Sequence, residues 1–453
     1  MAAAALTVPA SVRALAEAVA GAGGRAYLAG GGVRDQLLGL PVNDWDLEVY
    51  GLAEARLEAV IARFGRVKKV GGRFGVYVLQ GIELALPQGP GFQVAPDVPP
   101  REACRRRDFT VNALLWDPLA GELLDFFGGQ ADLDRRRLRH TDADTFAEDP
   151  LRVLRAARLA GQLRFRIHPD TARLCRELAP DLVRVPWERV GKELAAWLLR
   201  GQEPAWTLDA LVLTGAQALF PELQALQGCP QRPDAHPEGD VWIHTGRVLN
   251  AAAALRKGEK GRDLALMLGA LLHDLGKIDM TRRDARGCWR AIGHEEAGVA
   301  RATLFLQRWF PSPALQRQVL GLIRWHGGVA ALHRDGAKAG AYQRLALRVP
   351  DPALLLDLAQ ADAAGAGKAE YPAVLHARAQ WERMGLLQGR PAPWITGDDL
   401  AALGLVAGPG FRRWLELAFR MQLSGRFADR EQVLARLTRL VERLGAAAES
   451  DRS

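Results

Sequence analysis

Apolar and polar positions alternate with a period of two in the first part of the chain and recur at helical spacing through most of the rest. That change of period sets the expected architecture. The opening MAAAALTVPASVRALAEAVAGAGG is Ala-rich but carries Arg13 and Glu17 at positions that make it an amphipathic helix. A strand is expected at Asp46 to Tyr50, a helix around Ala53 to Phe64, and alternating strands through Lys69 to Gln80 and Ile82 to Leu86. Five prolines and two glycines from Pro87 to Pro100 mark an irregular, turn-rich connection. From Glu148 onward the period is helical. Asp149-Pro150, a cap followed by proline, opens a helix through Leu159, and further helices are expected at Thr171 to Leu178, Trp187 to Leu199, Trp206 to Thr214, Ile243 to Lys257 and Arg262 to Leu275. Breaks at Gly228 to Gly239, the best linker candidate, and at Gly389 to Pro393 leave a helical tail over Thr396 to Leu444. The fold class is α+β, a small mixed sheet followed by an all-α remainder. The expected division is 1–140, 141–227, 228–388 and 389–453.

Candidate chemistry concentrates in LAGGGVRDQLLGLPVNDWDLEVY, residues 28–50. Asp44 and Asp46 are two apart, so a strand puts both carboxylates on one face, where a cation would sit. Mg²⁺ takes hard oxygen ligands, and two such ions about 4 Å apart can stabilise the attacking and leaving oxygens of an in-line displacement. Gly30-Gly31-Gly32 would let backbone N–H groups approach a triphosphate, with Arg34 adding charge at the start of the next helix. The combination points to nucleotidyl transfer; a solvated Asp- and Gly-rich turn is the plainer alternative. Glu83 reads either as a third carboxylate at the metals or as a solvent-facing strand residue.

Composition narrows this further. At 453 residues, 49% hydrophobic and 25% charged, the chain is expected to be globular and soluble, with two to four domains. It shows no basic leader and no apolar run of membrane length. Cys104, Cys175, Cys229 and Cys288 are scattered without CxxC pairing, which fits a reducing cytoplasm and argues against a disulfide framework. Net charge is +8, and residues 151–200 hold eleven Lys and Arg against five Asp and Glu. Such a stretch attracts a phosphate backbone, or is simply an Arg-rich helical surface.

Gly30-Gly31, Arg34-Asp35, Asp44-x-Asp46, Arg106-Arg107-Asp108 to Asn112, and Glu148-Asp149-Pro150-Leu151-Arg152 follow one another in this order. In this the segment 25–225 resembles the bacterial-type (class II) tRNA nucleotidyltransferases and their poly(A) polymerase relatives. The resemblance implies a nucleotidyltransferase head over 1–140 and a helical neck over 141–227. It also implies that Asp44 and Asp46 are catalytic Mg²⁺ ligands, that Gly31 and Arg34 touch the triphosphate, and that Arg107 helps hold the nucleotide. Asp108 and Asn112, four apart, would face the ribose if their segment is helical, or else cap and pack. Asp149 can accept from the exocyclic amine of cytosine or adenine while Arg152 donates to the neighbouring ring acceptor, with Arg155 one turn further on. Asp149 also suits an N-cap, and Glu148 with Arg152 an ordinary helix ion pair.

Downstream, His244, His273-Asp274, His294 and Asp362 follow the order of HD-domain metal sites, with His326 as an added ligand or phosphate contact. Imidazole with carboxylate admits several divalent metals. This resemblance implies an HD domain over 228–388, either a metal-dependent phosphohydrolase or a scaffold that binds tRNA. The tail 389–453 resembles helical tails of the same enzymes, with Phe411, Trp414 and Phe419 at core spacing. The expected partners are tRNA, CTP and ATP, with no membrane. Complete CCA-adding relatives carry a longer loop where this chain has Pro87 to Pro100, so addition of two cytidines alone is the alternative product. A poly(A) polymerase usually lacks the HD domain, and a hydrolase with a degenerate head would lack the head motifs. A tRNA-binding protein with both sites silent is the remaining reading.

Overall fold

The computed structural model describes residues 6–450 except 43, 71–75, 90, 92, 369–370, 388, 390 and 425, and the side chains of 444–450 lie outside it. Two compact units result, Met1–Pro221 and Glu222–Ser453.

The first unit is built on a seven-stranded sheet: β1 (Arg25–Ala29), β2 (Trp45–Tyr50), β3 (Lys68–Val70), β4 (Val76–Leu79), β5 (Ile82–Ala85), β6 (Leu114–Asp117) and β7 (Glu122–Asp125). Their spatial order is β3-β4-β5-β2-β1-β6-β7. Only the β2–β5 pair is parallel, so the sheet is mixed as expected. The expected strand over 69–80 is two strands, β3 and β4, and 71–75 between them lie outside the described residues. The helix Ala10–Gly21 buries Val12, Leu15, Ala16 and Val19, an i, i+3, i+4, i+7 stripe that packs on β1. The sheet face bearing Tyr27, Ala29 and Tyr50 gathers Ala103, Cys104, Ala113 and Leu115 into a separate apolar cluster. Period two places Asp46 and Glu48 on the side of β2 that carries Tyr50, beside this cluster.

The Pro-rich connection is irregular apart from a bridge between Gln88 and Val94, with 90 and 92 outside the described residues. It ends in a short helix, Pro100–Arg105, that the prolines alone did not announce; Pro100 occupies a first-turn position, where its missing N–H costs nothing. Thereafter the first unit is mainly helical. Helix Leu151–Leu163 is largely buried, and packs against helices Trp187–Arg200 and Ala205–Thr214. A Cβ on Gly161 would lie 2.0 Å from Thr207 Oγ1, so the close approach of the last pair needs glycine.

In the second unit the helix Val241–Ala254 packs on Pro352–Gly365, and Lys260–Leu272 packs on both Pro313–Trp325 and Pro352–Gly365. The tail helices Gly397–Ala402, Pro409–Leu423 and Arg430–Ser450 share a small core of Ile395, Leu400, Ala418, Val433 and Leu437. Phe411 and Trp414 pack against it and Phe419 is buried, in line with their expected core role. Of the break expected at Gly389 to Pro393, residue 390 lies outside the described residues. No described helix is long and apolar enough to cross a membrane.

Candidate functional site

β1 ends at Ala29, and Gly30 turns the chain at φ +69° into the short helix Gly31–Leu37. A side chain at Gly30 would be strained in that region and would place its Cβ 3.1 Å from an Arg107 guanidinium nitrogen. The turn therefore brings bare backbone against the carboxylate-bearing edge of β2. Asp46 lies in register with Glu83 across the parallel β2–β5 pair, and Glu83 is at the same time solvent-exposed, so features of both its readings are present. Asp46 is raised to about 6, first by burial and then by Glu83, with Asp44 and Glu48 adding and Arg107 opposing. Carboxylates whose charges reach one another in this way can share a cation, and oxygen donors alone suit a hard one. Arg107 donates to Glu48 at 2.8 Å from the other side.

Next to these groups opens a cleft of about 440 Å³. Gly31, Gly32, Arg34, Asp44 and Asp46 form one wall, and Arg155, Arg158 and Gln162 from helix Leu151–Leu163 form the opposite one. Arg158 and Gln162 were not among the expected site residues. Their signal was present: they follow Arg155 at i+3 and i+7, on one helix face. Glu48 was missed in the same way, two residues beyond Asp46 on the same strand face.

A continuous polar chain fixes the walls. Arg34 donates to Asp35 at 2.8 Å and to Asn112 Oδ1 at 2.6 Å; Asn112 donates to Asp108 at 2.9 Å; Arg155 donates to the other Asp108 oxygen at 2.8 Å. Against the upward push of burial, Arg155 and Asn112 hold the Asp108 carboxyl below its usual range. Thr110–Asn112 is a 3-10 turn following an extended Phe109, so Asp108 and Asn112 meet although the segment joining them is not an α-helix. Replacing Asp108 by Ala strands the buried end of this chain. We expect Asp108→Ala to cost about 3 kcal/mol, read as a lowered melting temperature, whereas Asp108→Asn, which keeps the shape and one of the two acceptor oxygens, loses less.

Asp149 and Arg152 are placed differently. Asp149, one residue before the Pro150 that takes the cap position expected of it, accepts from Arg189 at 2.7 and 3.2 Å and from the Leu151 N–H at 3.2 Å. Arg152 is buried, donating to the backbone carbonyls of Thr145 and Arg106. Neither lines the cleft, and the Glu148 partner is Arg106 rather than Arg152.

The second unit gathers a separate cluster. His244 Nε2 lies 3.0 Å from Asp362 and 3.8 Å from Asp274 Oδ2; His273 Nε2 lies 3.1 Å from Asp274 Oδ2. The other Asp274 oxygen lies 3.4 Å from His294 and 3.8 Å from His326. All six side chains expected from the sequence thus converge. His273 Nε2 and Asp274 Oδ1 are buried with no hydrogen-bond partner. Burial lowers the His244 imidazolium's pKa, but Asp362 and Glu238 outweigh it and raise it to about 9. His326 is pushed down to about 4 by burial and by His273 and His294. Unpartnered donors, facing carboxylates and a neutral imidazole together fit a divalent ion. In His273-Asp274-Leu275-Gly276-Lys277 the glycine is required, since its Cβ would fall 1.9 Å from the His294 carbonyl oxygen. The segment expected as a linker is irregular, yet its His236 and Glu238 pack against His244. No sequence period marked them.

Comparison with known proteins follows the same plan. The Poly A polymerase head domain matches residues 94–139, the "Probable RNA and SrmB- binding site of polymerase A" matches 164–226, and the HD domain matches 241–364. A multifunctional CCA protein of Halorhodospira halophila is 39% identical over 318 residues, covering 66% of this chain and 73% of that protein. Another, from Nitrosococcus oceani, is 37% identical over 402 residues, covering 84% and 93%. Among solved structures, the Bacillus stearothermophilus CCA-adding enzyme in complex with CTP superposes with a TM-score of 0.68 at 22% identity, over 96% of this chain and 98% of that one. The Thermotoga maritima CCA-adding enzyme complexed with tRNA gives 0.60 at 19%, over 95% of each chain. At these identities the two structures establish likeness of fold.

Proposed function

Because the chain belongs to the family of the multifunctional CCA proteins, we propose that it builds or repairs the CCA end of tRNA, adding cytidine and adenosine from CTP and ATP without a nucleic-acid template. The observation that carries this is the cleft where Gly31, Gly32, Arg34 and the Asp44 and Asp46 carboxylates meet Arg155 and Arg158 of the neck. In this reading Asp44 and Asp46 hold Mg²⁺, which when bound supplies charge stabilisation to the reacting phosphate. Gly31 and Arg34 receive the triphosphate, and Arg107 holds the nucleotide from the Glu48 side. Asp108 and Asn112 position Arg155 and Arg34, and Asn112 lines the ribose side. Arg155 already faces the cleft, while Asp149 and Arg152 reach a base only by exchanging Arg189 and two backbone carbonyls for it. Catalysis then rests on positioning and on charge fixed in advance.

Within the neck over 141–227, the basic stretch 151–200 holds the acceptor stem, read by shape and 2′-hydroxyls. The head ends at 140, the HD domain spans 228–388 and the tail 389–453. Four free cysteines accord with a cytoplasmic location. Incubation of the protein with Mg²⁺, CTP, ATP and tRNA lacking its CCA, resolved at one-nucleotide resolution, is expected to give extension by three residues. Arrest after two cytidines would remove the terminal adenosine from the reading and trace it to the short connection over 87–100. No extension would overturn the reading.

A second activity is favoured by one observation: the buried His–Asp cluster with unpartnered His273 Nε2 and Asp274 Oδ1. We propose that it holds a divalent metal and releases phosphate from ribonucleotide ends.

A further inference from the structure

We propose that Glu238 is a positioning residue for His244, a carboxylate that fixes the imidazole's tautomer so that Nε2 is presented to a metal ion. This rests on reading the His–Asp cluster as a metal site. Four of its side chains are imidazoles, and three are oriented alike. The Nδ1 atoms of His273, His294 and His326 lie 2.9, 2.7 and 2.7 Å from the carbonyls of Ala270, Ala291 and Ile323, each three residues back in the chain. A carbonyl only accepts, so each of these rings carries its proton on Nδ1 and leaves Nε2 as a lone pair.

His244 has no such carbonyl among its hydrogen bonds. Its Nδ1 lies 2.7 Å from Glu238 Oε1, and both side chains are fully buried. The same oxygen lies 2.9 Å from His236 Nδ1, so one carboxylate orders two rings whose centroids are 4.6 Å apart. Its other oxygen, Oε2, is buried with no hydrogen-bond partner. With Nδ1–H donated to Glu238, the proton that His244 can give up is the one on Nε2, which faces Asp362 Oδ1 at 3.0 Å. A divalent cation bound there takes the place of that proton, with the Nε2 lone pair and the Asp362 carboxylate both turned toward it. A charged acceptor behind the ring also makes the ring a stronger donor to that cation than a carbonyl would.

The chain builds this contact locally. Asp240 caps the helix Val241–Ala254 through the Ile243 N–H at 2.9 Å, which sets the turn placing Glu238 over the helix's first turn, six residues before His244. Gly239, at φ +124°, turns the chain between Glu238 and the cap.

The test titrates the full-length protein with Co²⁺, whose visible band shifts and strengthens on imidazole coordination and stays weak and water-like at an all-oxygen head site. Glu238→Ala is expected to weaken the absorbing site by about 10- to 100-fold. Glu238→Gln keeps an acceptor oxygen and is expected to retain the band with an intermediate loss of affinity. A folded Glu238→Ala protein that binds Co²⁺ as the wild type does, with the same band, overturns the proposal. If Glu238→Ala does not fold, Glu238→Gln decides, and wild-type affinity in it overturns the proposal. A wild-type protein with no imidazole band overturns the metal-site reading itself, and this inference with it.

Discussion

Asp46→Asn is expected to lower cytidine incorporation by at least about 10³-fold while tRNA binding stays within about twofold of wild type. The substitution keeps the shape of the side chain and the pairing of β2 with β5, and removes one negative charge at the point where Asp44, Glu48 and Glu83 crowd together. Because those carboxylates repel one another, the variant is expected to melt no lower than wild type in the absence of metal. Loss of rate with undiminished stability is what separates a group placed for chemistry from one placed for packing. Single-turnover extension of tRNA ending before its CCA gives the rate, filter binding the affinity, and a melting curve the stability. A residual rate within tenfold of wild type would sink the assignment, and would revive the reading of the chain as a tRNA-binding protein with a silent head.

His273→Ala is expected to reduce metal-dependent phosphate release by more than about 100-fold, because loss of a direct ligand exceeds the usual cost of losing a residue behind one. CTP incorporation is expected to stay at the wild-type level, since Asp44, Asp46 and their cleft belong to the first compact unit and His273 to the second. Phosphate release is assayed with a ribonucleotide 2′-phosphate, and ring opening to the phosphomonoester with a 2′,3′-cyclic phosphate, each across several divalent ions. If the wild-type protein releases none with any ion, the cluster is not a second enzyme and the scaffold reading of this domain stands. If His273→Ala removes CTP incorporation too, the two sites are not independent.

Much of both sites was legible because their motifs are local. A period of two needs nothing beyond the strand to put Asp46 and Glu48 on one side, and Gly30 needs only its own φ to make the turn before Arg34. The order His244, His273-Asp274, His294, His326 and Asp362 likewise anticipated a cluster the structure forms. Less was legible at Arg152. Its motif suggests a base-reading guanidinium, but the folded chain buries it against two backbone carbonyls. Glu238 carried no signal at all, lying in a Pro-rich stretch whose composition reads as a break.

The sequence by itself determined the α+β class, the succession of sheet and helices, and the residue types able to hold a triphosphate and a divalent ion. Tertiary structure alone decided the partners: Glu83 beside Asp46 through parallel pairing, Asp108 beneath Arg155, Glu48 on Arg107, and Glu238 behind His244. The reason is physical. Periodicity is a property of a few consecutive residues, whereas the behaviour of a charge is set by what displaces its water, and the groups that do so here come from distant parts of the chain.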